Sequence, residues 1–145
     1  MVEKSHILCV EDNMADLGLL LEAFVELQLK HHLHHVLDGE KAMSYLRRQG
    51  EYELEPRPNL ILLDLNLPRK SGFDVLQEVS LDPSLRDLEI AVLTTTARES
   101  DVKRVAGNLH VHFLNKPMDF DAFVDVVRRI DTIVREADRR TIGTA

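Results

Sequence analysis

The sequence predicts an α/β protein built on a doubly wound, five-stranded parallel sheet. Two observations predict it. Five short apolar runs alternate with stretches of helical periodicity, an order that builds parallel sheets covered on both faces. Acidic residues also close the first and third runs, Ile7-Leu8-Cys9-Val10-Glu11-Asp12 and Leu60-Ile61-Leu62-Leu63-Asp64, and the carboxyl ends of such strands are where open α/β sheets carry their sites.

The strands are expected at residues 6–10, 33–37, 59–64, 90–94 and 111–114. After the first, Leu17, Leu20, Leu21, Phe24 and Leu27 recur at helical spacing, and Asn13 or Asp16 suits the N-cap. Asp38-Gly39 turns the chain into a second helix from Glu40 to about Arg48. The loop at 49–58 is long and polar, and reads as an exposed excursion. Ser71 caps a third helix that carries Phe73, Val75, Leu76 and Val79. A fourth runs from about Glu99 to Ala106 and is stopped by Gly107-Asn108. In the last, Asp119 is the cap, and Phe120, Phe123, Val124, Val127, Ile130 and Val134 line one face. Right-handed crossovers make this a (βα)5, flavodoxin-like sheet. One domain is expected over residues 1–138. The tail, 139–145, has no apolar face and is expected to be mobile unless a dimer contact orders it.

Bulk properties narrow the function. A length of 145 residues suits one domain, and the formal net charge of −7 disfavours binding to nucleic acid or to anionic membranes. No apolar stretch approaches the ~20 residues that span a bilayer, and no signal peptide is visible, so a cytoplasmic protein is expected. The single cysteine, Cys9, lies in an apolar strand and reads as a buried, inert thiol.

Because parallel strands share a direction, their carboxyl ends gather at one edge. There they bring Glu11 and Asp12, Asp64 with Asn66, Thr94 with Thr95, and Lys116 followed by Pro117. Three carboxylates together are electrostatically unfavourable unless a cation joins them. Hard oxygen donors suit Mg²⁺, which is often shared with a phosphate, and a lysine and a hydroxyl are suited to its remaining oxygens.

This set resembles the receiver domains of two-component response regulators. Their motifs are an acidic pair after strand 1, an Asp after strand 3, a Thr or Ser after strand 4 and Lys-Pro after strand 5; here they are Glu11-Asp12, Asp64, Thr94 and Lys116-Pro117. The resemblance covers about residues 5 to 138. It implies that Asp64 accepts a phosphoryl group from a phosphohistidine on a partner kinase. It also implies that Asp12 and Asp64 bind Mg²⁺ directly, Asn66 through its backbone carbonyl and Glu11 largely through water. The resemblance further implies that Lys116 and Thr94, with Thr95 beside it, hold phosphoryl oxygens. The Lys-Pro peptide is expected to be cis. Thr94 and Phe113 form the expected switch, acting on the face made by the fourth helix, fifth strand and fifth helix. By the same resemblance, Asn66 and Thr96 are expected to tune hydrolysis.

The segment Pro56-Arg57-Pro58-Asn59 through Pro68, the loop with Gly50-Glu51-Tyr52, and Val92-Leu93-Thr94-Thr95 are similar to phytochrome-associated single-domain response regulators. That similarity implies a bacteriophytochrome-type sensor histidine kinase as partner, and a homodimer. Val102, Val105 and Val134 are expected to be exposed on the pairing face. Two other functions compete. A Mg²⁺-dependent phosphohydrolase commonly carries a second Asp where Asn66 stands, and a constitutive interaction module has no need of an intact acidic, hydroxyl and lysine set. The histidines at 31, 32, 34 and 35 divide between the two faces of a strand, which argues against a zinc site; His110 and His112 are expected to be half-exposed.

Overall fold

A computed structural model describes residues 5–67, 69–94 and 98–144, with 139–144 described by backbone alone. Among them, five strands and five helices alternate: β1 (His6–Val10), α1 (Met14–Glu26), β2 (His32–Val36), α2 (Gly39–Leu46), β3 (Leu60–Asp64), α3 (Gly72–Leu81), β4 (Glu89–Thr94), α4 (Glu99–Ala106), β5 (His110–Asn115) and α5 (Phe120–Thr144). All pairings are parallel and the strand order is β2-β1-β3-β4-β5. This is the doubly wound (βα)5 sheet that the alternation predicts.

Side-chain alternation along each strand divides the interior into two cores. Ile7, Cys9, Leu60, Leu62, Ala91, Leu93 and Leu114 face α1 and α5. Leu8, Val10, Ile61, Leu63, Ile90 and Val92 face α2, α3 and α4. Central β3 is buried at all five positions, which is why it reads as an unbroken apolar run.

The helix starts follow their caps. Asn13 accepts from the N–H groups of Ala15 and Asp16, Asp38 from Lys41, and Asp119 from Ala122. Ser71 and Asp74 form a reciprocal capping box. Gly107 stops α4 with a φ of 58°.

Several expectations shift. β2 lies one residue earlier than its apolar content suggests, because its register on β1 begins at His6↔His32 and the His32 N–H donates to Ser5 O at 2.7 Å. α2 ends at Leu46, short of Arg48. The excursion contains a 3₁₀ turn, Gly50–Tyr52, and its Tyr52 packs on Tyr45 of α2. The α5 backbone continues as helix to Thr144, past residue 138. Val102 and Val134 are core residues, in contrast to the exposed pairing face expected of them, since the fourth and fifth helices turn these positions onto the sheet. Val105 is only partly buried.

The histidines divide as strand geometry requires. His6, His32 and His34 lie ring against ring on the α2 side, and His6 Nδ1 is 2.9 Å from His34 Nε2. His31, on the other side, accepts the Ser5 N–H at Nδ1 and donates from Nε2 to Asp131 on α5 at 2.8 Å. His112, half-exposed on β5, pairs with Glu89.

Candidate phosphoacceptor and metal site

Glu11 and Asp12 extend β1 by one and two residues, and Asp64 is the last residue of β3. Register brings these neighbouring strand ends level, Val10 beside Leu63. The carboxylate oxygens of Glu11, Asp12 and Asp64 accordingly lie within 4.8 Å of one another. Asp64 is 2% exposed and Glu11 5%, while Asp12 faces solvent.

Both Asp64 oxygens are engaged. Oδ1 accepts the Asn66 backbone N–H at 2.9 Å, and Oδ2 accepts the Lys116 ammonium at 3.1 Å. Lys116 is brought there by the end of β5, where its own N–H donates to Thr94 O at 3.3 Å. Burial works against the Lys116 charge, but its hydrogen bond to Asp64 and the charges of Asp64 and Glu11 outweigh it and hold the ammonium above the usual lysine range. Among the described residues no peptide is cis, so Lys116–Pro117 is trans and departs from the resemblance. Trans is the intrinsic preference of an X–Pro bond by about 0.5–1 kcal/mol, and the ammonium reaches Asp64 from it.

Glu11 is the strained member. Burial first, and then the Asp64 charge, push its carboxyl up to about 7 against the opposing pull of the Asn13 N–H at 3.1 Å. Its carbonyl accepts from His35 Nε2 at 2.7 Å, which fixes the proton of that ring on Nε2. Burial, then Glu11 and Asp64, also push the Cys9 thiol up, so it is not a nucleophile. A buried acid that resists ionisation beside two more carboxylates fits a divalent cation with oxygen ligands. Among the described residues this acidic group is where three metal-type side chains meet; the histidines around β2 do not form such a group.

Two glycines shape the floor. A Cβ on Gly72 would lie 2.7 Å from Asp64 O and from Leu65 Cα, and one on Gly39 would lie 2.1 Å from Lys70 O. Gly72 therefore packs against the backbone at the end of β3, and Lys70 against that of Gly39, while Pro68 of this turn lies outside the described residues.

Thr94 is buried at the end of β4. Phe113 is partly buried against the α2–α4 core, with Lys103 Nζ 5.5 Å from its ring centroid. Thr95 and Thr96 lie outside the described residues. The sequence reading missed Arg98. Its guanidinium donates to Asn66 Oδ1 at 3.3 Å and lies 4.6 Å from the Phe73 ring centroid. No motif marks it, and the signal was only its place four residues after Thr94.

Comparison with known proteins agrees with this geometry. The model of the response regulator receiver domain matches residues 7–128. Response regulator Rcp1 of Synechocystis sp. is 43% identical over 127 residues, covering 87% of this chain and 86% of its own. Among solved structures, the phosphorylated cyanobacterial phytochrome response regulator RcpA has a TM-score of 0.77 at 40% identity, covering 88% of this chain and 91% of its own. The Mn²⁺-bound form of Rcp1 has a TM-score of 0.75 at 42% identity, covering 88% and 92%. The bacteriophytochrome response regulator AtBRR follows at 0.69 and 35%, covering 87% and 91%. Sheet order, acidic edge and matched length converge: the chain belongs to the response regulator receiver domain family, signalling switches of the phosphorelay, and is closely related to its phytochrome-associated single-domain members.

Proposed function

We propose that Asp64 takes a phosphoryl group from a phosphohistidine on a sensor histidine kinase of the phytochrome type. The observation that carries this is the state of Asp64: a buried carboxylate with one oxygen on a backbone N–H and the other on Lys116, at the edge where three acids meet. An Asp64 oxygen bonds to phosphorus while the phosphorus–nitrogen bond breaks, and the electron pair returns to the imidazole. Such transfer needs positioning and charge neutralisation more than a general base. Lys116 and the Thr94 hydroxyl hold the phosphoryl oxygens, with Thr95 assigned beside them. Asp12 and Asp64, the Asn66 carbonyl and, through water, Glu11 are the groups that would hold Mg²⁺. The cation would supply charge neutralisation for the transferring group.

The acceptor lies at the sheet edge, open to a partner kinase that docks there and to a small phosphodonor. Two exposed apolar residues border it: Met14, just after Asn13, and Met118, two residues past Lys116, at 61% and 90% exposure. The kinship with phytochrome response regulators supports that kinase class as the donor, and with it a cytoplasmic site of action. The net charge of −7 supports a partner other than nucleic acid. Output passes through Thr94 and Phe113 to the α4–β5–α5 face. A homodimer formed there, with the end of α5 and the partly buried Val105 in the contact, is our reading of the output. Sedimentation that gives a monomer mass at micromolar protein would refute the dimer.

The acceptor is tested by intact mass after incubation with acetyl phosphate and Mg²⁺. The wild type is expected to gain one phosphoryl group only with Mg²⁺, and Asp64→Asn to gain none. A wild type that stays unmodified while folded would overturn the reading.

A further inference from the structure

Arg98 stands where helix chemistry disfavours it. It is the N-cap of α4 and makes no capping bond, and its positive charge opposes the helix dipole at that end. A residue that breaks a local rule is explained by what it does elsewhere. Here the side chain leaves the helix and crosses the rim of the site. Its guanidinium carbon lies over Phe73 in the first turn of α3, 4.6 Å from the ring centroid, and the side chain donates to Asn66 Oδ1 at 3.3 Å. Arginine has no acceptor, so the amide atom facing it must be the oxygen. The cation–π contact with Phe73 holds the guanidinium over the ring. Asn66 is itself anchored to the acceptor, since its N–H donates to Asp64 Oδ1.

We propose that Arg98 is a positioning residue that lengthens the life of the phosphoryl group by occupying Asn66 Oδ1. This rests on Asp64 being the acceptor. In hydrolysis of an acyl phosphate on Asp64, the oxygen of a water bonds to phosphorus and the bond from phosphorus to the Asp64 oxygen breaks. The electron pair stays with the carboxylate, and the protons of the water leave with the released phosphate. Water is the only co-reactant. An acceptor beside the phosphorus accelerates this step by taking a hydrogen bond from the attacking water and orienting it. Asn66 Oδ1 is such an acceptor at the rim of the site, and the Arg98 clasp keeps it engaged. Released from Arg98, the same oxygen is available to the water.

The test is a double-mutant cycle read as the rate of phosphoryl loss. Wild type, Arg98→Gln, Asn66→Ala and the double variant are loaded with acetyl phosphate and Mg²⁺ and freed of donor, and the adduct is followed by intact mass. One hydrogen bond corresponds to about a 3- to 10-fold rate change, so Arg98→Gln is expected to lose its phosphoryl group faster by that factor. In the Asn66→Ala background the same change is expected to alter the rate less than about twofold, because the oxygen it would release is gone. Arg98→Lys keeps a cationic donor without the guanidinium fork and is expected to fall between wild type and Arg98→Gln; it carries the cycle should Arg98→Gln not fold. Equal acceleration in both backgrounds, or none in either, overturns the proposal while leaving the acceptor intact. A wild type that never takes the phosphoryl group overturns the acceptor reading and this inference with it.

Discussion

Removing the charge of Glu11 should stabilise the metal-free protein at alkaline pH. Glu11 is 5% exposed, and burial lifts its carboxyl from the usual 4.5 to about 7. A raised pKa means that the fold prefers the protonated form. The associated stability is complete below about pH 4.5 and is lost as the pH rises through about 7. At about 1.4 kcal/mol per unit, the gap between those two values is worth at most about 3–4 kcal/mol well above pH 7, and less once solvent at the open sheet edge screens it. Gln is isosteric and keeps an oxygen for the Asn13 N–H. In urea unfolding with EDTA, Glu11→Gln should therefore exceed the wild type by about 1–3 kcal/mol at pH 8 and by under about 1 kcal/mol at pH 5. Saturating Mg²⁺ should narrow the difference at pH 8, because the cation stabilises the ionised wild type by mass action. A difference that does not change with pH, or a variant weaker than wild type at pH 8, would refute the argument that burial strains Glu11.

Two further substitutions probe the same edge. Lys116→Ala deletes the 3.1 Å charge-assisted bond to Asp64 and should slow phosphorylation by acetyl phosphate about 10- to 100-fold, while Mg²⁺ titration should show tighter binding because a competing cation is gone. Gly72→Ala forces a Cβ to within 2.7 Å of backbone at Asp64 and Leu65; it should cost about 1–3 kcal/mol in urea unfolding and reduce the extent of phosphorylation, since the displaced backbone carries the acceptor.

The legible parts of this protein were those tied to strand ends. Glu11, Asp12, Asp64, Thr94 and Lys116 could be placed together because a parallel sheet gathers the residue after each strand at one edge, and register then fixes the neighbours. The start of β2 was harder to read, because a strand that opens on His32 is held by hydrogen bonds to β1 and carries no apolar signal there. Val102 and Val134 were misassigned because helical periodicity shows that a face exists but not how wide a strip the sheet covers. Arg98 was invisible: its partners, Asn66 and Phe73, are 32 and 25 positions away in the chain, and only the folded molecule brings them within reach.

The division of the interior into two cores has a mechanical consequence. The sheet is a wall one residue thick, and side chains on its two sides do not interdigitate. Val102 and Phe113 press on one side, whereas α1 and α5 are braced on the other, with His31 strapped to Asp131. A shift in α4 can therefore repack one layer while the other stays seated. A substitution in one layer is therefore felt first by its own layer, and the sheet between them passes little of it to the other.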